Sequence, residues 1–441
     1  MVRATFALAF AFLSLLLMVD PASTRFDLAI RHARVVHGDG RVTPHATVFI
    51  AGGRIGRIDA TEAADTVPAD RSVEASGRTL LPGLIDAHVH VEPWTLPLFL
   101  KSGVTSVRDV HNDPSYIFPL VRGEGPLGPR VVAAGALLDG PGSFWKNALV
   151  VTDMASARAA VRSEVEAGAG VIKIYTRLRP AAVAEIVREA RARGVPVAAH
   201  LGKTTAIEAA MLGVTSIEHL TGIAESASSD PDRLRRLHDD FFAGWTASEL
   251  EWPSLTTASL DRVARALIDR HVVLVPTLAL HEAFGRLLDR DLMNDPALRD
   301  VPRDVVEKSW DPRDIMTRAK WTDATLAGFK RTLPVLQRFV ARYRQLGGRI
   351  AAGTDTPQQF VIPGVSLHRE LELYVAGGMS PAAAIRAATA DAADLLGISD
   401  RAGTVDVGKD ADLILVDGDP LADIGVLDRL ALVLVRGVRP H

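Results

Sequence analysis

Between residues 27 and 78 short apolar runs alternate with polar ones and break at Gly-Asp and Gly-Gly pairs, as in "LAIRHARVVHGDG" and "ATVFIAGGRIGRIDA". Alternation of this kind, punctuated by turn-forming residues, predicts an antiparallel meander. The same texture returns at the other end in "GTVDVGKDADLILVDGDPL" and "LALVLVRGVRPH". Two β-rich arms around a long middle predict one small β-sandwich assembled from residues 25–81 and 398–441.

The middle, residues 82–397, has a different rhythm. "LIDAHVH", "TSVRDV", "RVVAAG", "VIKIYT", "VPVAAH", "VTSIEHL", "HVVLVPTL" and "RIAAGTDT" are short, apolar and rich in β-branched residues, and they make eight candidate strands. Helical patterns lie between several of them. Residues 180–193 place Val183, Ile186, Val187 and Ala190 on one face, with Pro180 at the start and Gly194 at the stop. Ser380-Pro381 reads as an N-cap and first-turn pair, with Ile385 and Ala388 continuing a buried face. Strands alternating with helices predict an α/β fold with a parallel sheet, and eight such units close naturally into a (β/α)8 TIM-like barrel. Catalysis on such a barrel belongs at the carboxyl ends of the strands.

Composition narrows the class. The 441 residues are 48% hydrophobic and 23% charged, ordinary values for a soluble enzyme. A formal net charge of −3, with no basic run interleaved with aromatics, excludes a nucleic-acid partner. The absence of cysteine removes disulfides, thiolate metal sites and cysteine nucleophiles. At the N-terminus, Arg3 precedes an apolar run from Phe6 to Val19 and then small residues. Residues 1–24 are therefore expected to be a signal peptide, too short for a comfortable membrane span. This predicts a periplasmic or secreted protein with no stable membrane insertion after cleavage and, lacking cysteine, no lipoprotein anchor.

The chemistry gathers at the predicted strand ends. In "LLPGLIDAHVHVEP", His88 and His90 stand two residues apart and so share one strand face. Alone, such a pair is as compatible with a core histidine as with a metal ligand. The other strands supply Lys173, His200, His219 and Asp355, and together the six form a ring on the rim where a barrel places its active site. No Gly-x-Ser-x-Gly elbow is present, and no glycine motif supports a nucleotide-dependent reading.

"DAHVH", the strand-four lysine, the two later histidines and "GTDT" resemble the amidohydrolase superfamily, and more narrowly its imidazolonepropionase-related and prolidase-like branch with a binuclear metal site. "SLHRELELYVAGGMSPAAAIRAATADAADLLG" and "GKDADLILVDGDP" extend the resemblance, which runs from about residue 27 to 440. It implies that His88, His90 and Asp355 bind the more buried metal and His200 and His219 the more exposed one. It also implies that Lys173 bridges both as N6-carboxylysine, since a free ammonium is only a donor and would repel divalent cations. All-N/O ligation suits two divalent ions, Zn2+ first, with Mn2+, Co2+ or Ni2+ as alternatives. The implied reaction is attack of a metal-activated water on an amide carbonyl, with Asp355 as general base and then acid.

Substrate contacts are sought just beyond the strands: His111, Trp145, Tyr175, Arg177 and His281. Each has a packing role as its alternative. Prolidase-like members carry a Gly-Gly-His stretch after strand three; here the loop reads "LLDGPGSFWKN", and after the lysine it reads "YTRLRP". The bulky Phe144, Trp145 and Tyr175 suit an apolar or aromatic acyl group better than a simple dipeptide. Residues 224–265 and 282–345 are long, aromatic-bearing segments expected to roof the site. The expected substrate is a small molecule: an amide, an N-acyl amino acid, a peptide-like or a cyclic amide. An esterase or lactonase on the same machinery, a mononuclear imidazolone-type hydrolase or deaminase, and a non-catalytic binding protein stay open, as does a homo-oligomer.

Overall fold

The computed structural model describes residues 25–440, so the expected signal segment lies outside the described residues. Eight short strands follow one another through the middle of the chain: Leu84–Val89, Val104–Asp109, Arg130–Ala133, Ile172–Ile174, Val197–Ala199, Ser216–Glu218, Val273–Val275 and Arg349–Ile350. All pair in parallel. The first three form one ladder. Leu138–Asp139, a continuation of the third, begins a second ladder that runs through to the eighth. Hydrogen bonds bridge the two seams, from Ala87 N to Ala352 O at 2.8 Å and from Gly170 N to Ala133 O at 2.9 Å. The eight predicted strands are thus all present, in a TIM-barrel arrangement.

The helices between them follow their apolar faces. Pro180–Ala192 buries Val183, Ile186, Val187 and Ala190, and it ends just before Gly194. Each of the larger three side chains contributes roughly 1.5–3 kcal/mol by leaving water. Ser380 caps Pro381–Ala387 by accepting a hydrogen bond from Ala383 N.

Both arms of the chain meet in one sheet. Five N-terminal strands, Leu28–Val36, Val42–Ala51, Arg54–Asp59, Ser72–Glu74 and Arg78–Pro82, join Leu413–Asp417 and Leu430–Leu434. In hydrogen-bonding terms the expected sandwich is a single seven-stranded sheet. Leu413 pairs with Pro82, immediately before the first barrel strand, so the C-terminal arm fixes where the barrel begins. The two long segments form helices over the barrel's carboxyl face, including Phe241–Glu251, Pro312–Ala319 and the first turns of Asp323–Gln345. Among the described residues no helix is long and apolar enough to cross a membrane.

Candidate metal centre

Strand alternation brings the six predicted residues to one place. His88, Lys173, His200, His219 and Asp355 are buried and His90 nearly so, and all six line a single cavity of about 180 Å³ at the carboxyl ends of the strands. Ligand atoms of His88, His219 and Asp355 lie within 4.8 Å of one another. Asp355 Oδ1 is 3.0 Å from His90 Nε2 and 3.3 Å from His88 Nε2. The His200 ring stands 4.8 Å from that of His219.

This approach requires a glycine and a left-handed backbone. A Cβ on Gly353 would come within 2.9 Å of His88 Cβ and 2.5 Å of Val275. Without a side chain there, strand eight closes on strand one, and Asp355 N donates to His88 O at 2.8 Å. Asp355 then adopts φ +66°, and His219 and Thr277 are also left-handed. Left-handed non-glycine residues cost of order 1–3 kcal/mol each and gather where a site needs them.

The rings are aimed by partners on their far sides. His88 Nδ1 donates to Glu218 Oε2 at 2.7 Å, and His90 Nδ1 donates to His111 O at 3.1 Å. Both bonds leave Nε2 free toward Asp355, the arrangement by which outer partners orient metal-binding histidines. His219 Nδ1 meets Thr277 Oγ1 at 2.8 Å. Glu218 is itself clamped by Arg108 Nη2 at 2.9 and 3.0 Å and by Ser216 Oγ at 2.6 Å. Burial alone would raise the Glu218 carboxyl, but the Arg108 guanidinium and His88 outweigh it and hold the group well below the usual carboxylate range. Asp86 accepts from the backbone of His88 and Thr354 and from Thr354 Oγ1, tying strand one to strand eight.

The donor chemistry fits divalent cations. Burial first, then the neighbouring lysine, holds His200 well below the ordinary imidazole range; burial and His88 do the same for His219. Neutral imidazoles present lone pairs. Burial would raise Asp355, yet His219 and His88 keep it ionised. Lys173 Nζ is buried with no hydrogen-bond partner, and burial pushes the ammonium down to about 8. An orphaned amine at the centre of three histidines and a carboxylate is an unstable end state. Conversion to a carbamate would give it acceptor oxygens for metals.

The expected substrate contacts divide. Trp145, Tyr175 and His111 line the cavity. His111 has both ring nitrogens taken, one accepting from Leu137 N at 3.2 Å and the other facing Asn147 Oδ1 at 3.0 Å. His281 and Arg177 are not brought to the cavity. His281 lies one turn into helix Leu278–Gly285, bonded to Glu249 and stacked behind Trp245. Arg177 turns outward to the carbonyls of Pro141 and Asp239. The roof aromatics divide too. Phe241, Phe242, Trp245, Phe284 and Trp321 face the cavity, while Trp252 and Phe329 pack against Phe339 and Trp321. Glu218, Arg108, Thr277 and Asp86 were not singled out in the sequence. A charged residue inside an apolar strand, as in "TSVRDV" and "TSIEHL", is the signal that points to Arg108, Glu218 and Asp86; nothing comparable marks Thr277.

The Amidohydrolase family model matches residues 79–439. A candidate prolidase from Bifidobacterium longum superposes with a TM-score of 0.70 at 26% identity, over 94% of each chain. Bottromycin amidohydrolase gives 0.69 at 24% identity, over 93% of this chain and 86% of that one. Curated relatives match only in short stretches. An adenine deaminase from Deinococcus deserti is 46% identical over 66 residues, covering 15% of this chain and 12% of the deaminase. N-acyl-D-glutamate deacylase from Alcaligenes xylosoxydans xylosoxydans is 40% identical over 88 residues, covering 19% of this chain and 17% of the deacylase. With the family model matched over the whole barrel and the C-terminal strands of the flanking sheet, this chain belongs to the amidohydrolase family.

Proposed function

We propose that this protein hydrolyses a carbon–nitrogen bond of a small-molecule amide at a centre holding two divalent metal ions. The observation that carries the reading is the buried, partnerless Lys173 Nζ set among His88, His200, His219 and Asp355. His88, His90 and Asp355 would hold one ion and His200 and His219 the other, with Lys173 as a carbamate serving both. Carboxylation joins the lysine nitrogen to the carbon of CO2 with loss of one proton. Zinc suits this donor set first, with manganese, cobalt or nickel as substitutes. Bound metals supply the positive charge that acidifies water and polarises a carbonyl.

The chain's own residues carry the protons and the geometry. Asp355, kept ionised by its histidine neighbours, takes the proton of the attacking water and hands it to the leaving nitrogen. Glu218 and Arg108 hold the His88 ring in place while this happens. The roof helices line the cavity with apolar rings. Residues 1–24 carry the enzyme out of the cytoplasm before this fold performs its reaction.

The relatives' names favour C–N chemistry in two forms, amide hydrolysis and ring deamination. Purified, metal-replete protein should therefore be offered N-acyl amino acids, dipeptides, simple and cyclic amides, adenine, and matched esters and lactones, with products read by mass spectrometry. Amide cleavage abolished by Asp355→Asn supports the proposal. Turnover of adenine alone supports the deaminase reading, and turnover of esters or lactones alone overturns the C–N assignment.

A further inference from the structure

The floor of the cavity is a metal centre, but its walls come from the inserted segments and the strand-three loop. Phe144, Phe241, Phe242, Trp245, Phe284 and Trp321 enclose it as a continuous aromatic surface. Phe144 stacks on Phe241 at 4.6 Å, Phe242 meets Trp321 at 6.1 Å, and Phe284 joins Trp321 at 5.1 Å and Trp245 at 6.2 Å. The last three contacts are edge to face, a geometry that an added aromatic ring can extend. At about 180 Å³ the space is smaller than the roughly 300–1,000 Å³ typical of pockets for drug-sized ligands.

The buried, unpartnered polar atoms of this wall are neutral. Apart from Lys173 at the floor, the side chains lining the cavity that have a buried, unpartnered polar atom are Gln359, through Oε1, and Trp245, through Nε1. Both residues are 93% buried, with 7% of their surface exposed. Neither atom carries a charge. A carboxylate, by contrast, would ask for a cation. Arg318 is the wall's one guanidinium among the described residues; it is half-exposed and already paired with Asp314 at 2.9 Å.

Resting on the amidohydrolase reading above, we propose that the substrate is a neutral amide bearing a single aromatic ring beside the scissile bond, without the free carboxylate of an N-acyl amino acid or dipeptide. The aromatic wall takes the ring.

Two matched pairs test this with the metal-replete enzyme: N-acetyl-2-phenylethylamine against N-acetylphenylalanine, and N-methyl-2-phenylacetamide against phenylacetylglycine. Each pair differs by one carboxylate, and N-acetylhexylamine serves as the ring-free control. The neutral aromatic member of at least one pair should exceed its acidic twin and the control by about tenfold or more in kcat/KM. Phe241→Leu should raise KM for it about tenfold with kcat nearly unchanged, whereas Arg318→Ala should leave it within about twofold. Preference for the acidic twins, erased by Arg318→Ala, would overturn the inference and leave the hydrolase reading intact. If no amide is turned over, the hydrolase reading fails, and quenching of Trp145, Trp245 and Trp321 fluorescence decides the inference. Tighter binding of the neutral aromatic amides than of their acidic twins then upholds it, and equal or weaker binding overturns it.

Discussion

His88 Nδ1 lies 2.7 Å from Glu218 Oε2, and both side chains are buried with Arg108 closing the far side of the carboxylate. This bond determines which nitrogen of His88 faces the centre. It also places a full ion pair inside the barrel, where its members have no water to fall back on.

Replacing Glu218 with Gln removes the charge that orients His88. Metal affinity should fall about 10–100-fold, in line with the loss of other outer-sphere partners. Metal retained per chain after dialysis at graded chelator concentrations measures this. Undiminished affinity would mean that Glu218 serves only the fold.

Arg108→Met leaves the Glu218 carboxylate buried without its strongest partner. Breaking one side of a buried pair costs about 3–5 kcal/mol, so the variant should unfold at distinctly lower denaturant concentration than the native protein. The double variant Arg108→Met, Glu218→Leu should recover much of that loss, because no unpaired charge is left behind.

Lys173→Ala should empty the centre and abolish turnover, and short carboxylic acids should restore part of both by standing in for the carbamate. Labelled 13CO2 should give the native protein one carbamate carbon resonance that this variant lacks. A native protein that binds two metals without the resonance would assign Lys173 to a different role.

Glu370 links stability to pH away from the candidate metal ligands. Burial pushes its carboxyl up to about 8, and its Oε2 accepts from Ala279 N at 2.6 Å. The folded state therefore holds this proton more tightly than the unfolded state, whose pKa is near 4.5. The contribution is complete below about pH 4.5, falls as pH rises, and is lost once pH passes about 8. Glu370→Gln keeps an acceptor for Ala279 and cannot ionise. Its melting temperature relative to the native protein should rise between pH 5 and about 8 and then level off. A constant difference across that range would show that Glu370 is not the group responsible.

Much of this organisation was legible in the residues. The six ring residues lie near the carboxyl ends of five apolar strands or in the residues just beyond them, and a parallel barrel puts all strand ends on one face. Helix Pro180–Ala192 was legible because Pro180, four apolar positions and Gly194 agree. His281 was misdirected for a local reason. Thr277 takes φ +51° and starts a helix at the end of strand seven, which swings His281 back toward Glu249. Arg177 is drawn outward by carbonyls from two other loops, a contact between segments 36 and 62 residues away in sequence. The roof aromatics sort by helix face: Phe241 and Trp245, four apart, look down on the cavity, while Trp252 follows the helix into the core beside Phe339. That rotation depends on the contacts of Thr246 with Trp321 and Glu249 with His281, which join distant parts of the chain.

Amide cleavage should depend on two metals and on Asp355. Metal-free protein should be titrated with zinc while hydrolysis of an aromatic amide is followed. Activity should rise from zero to a plateau at two equivalents per chain, and Asp355→Asn should stay more than about a thousandfold lower while retaining much of the metal. Amide cleavage that persists without metal, or equal cleavage by Asp355→Asn, would contradict the account.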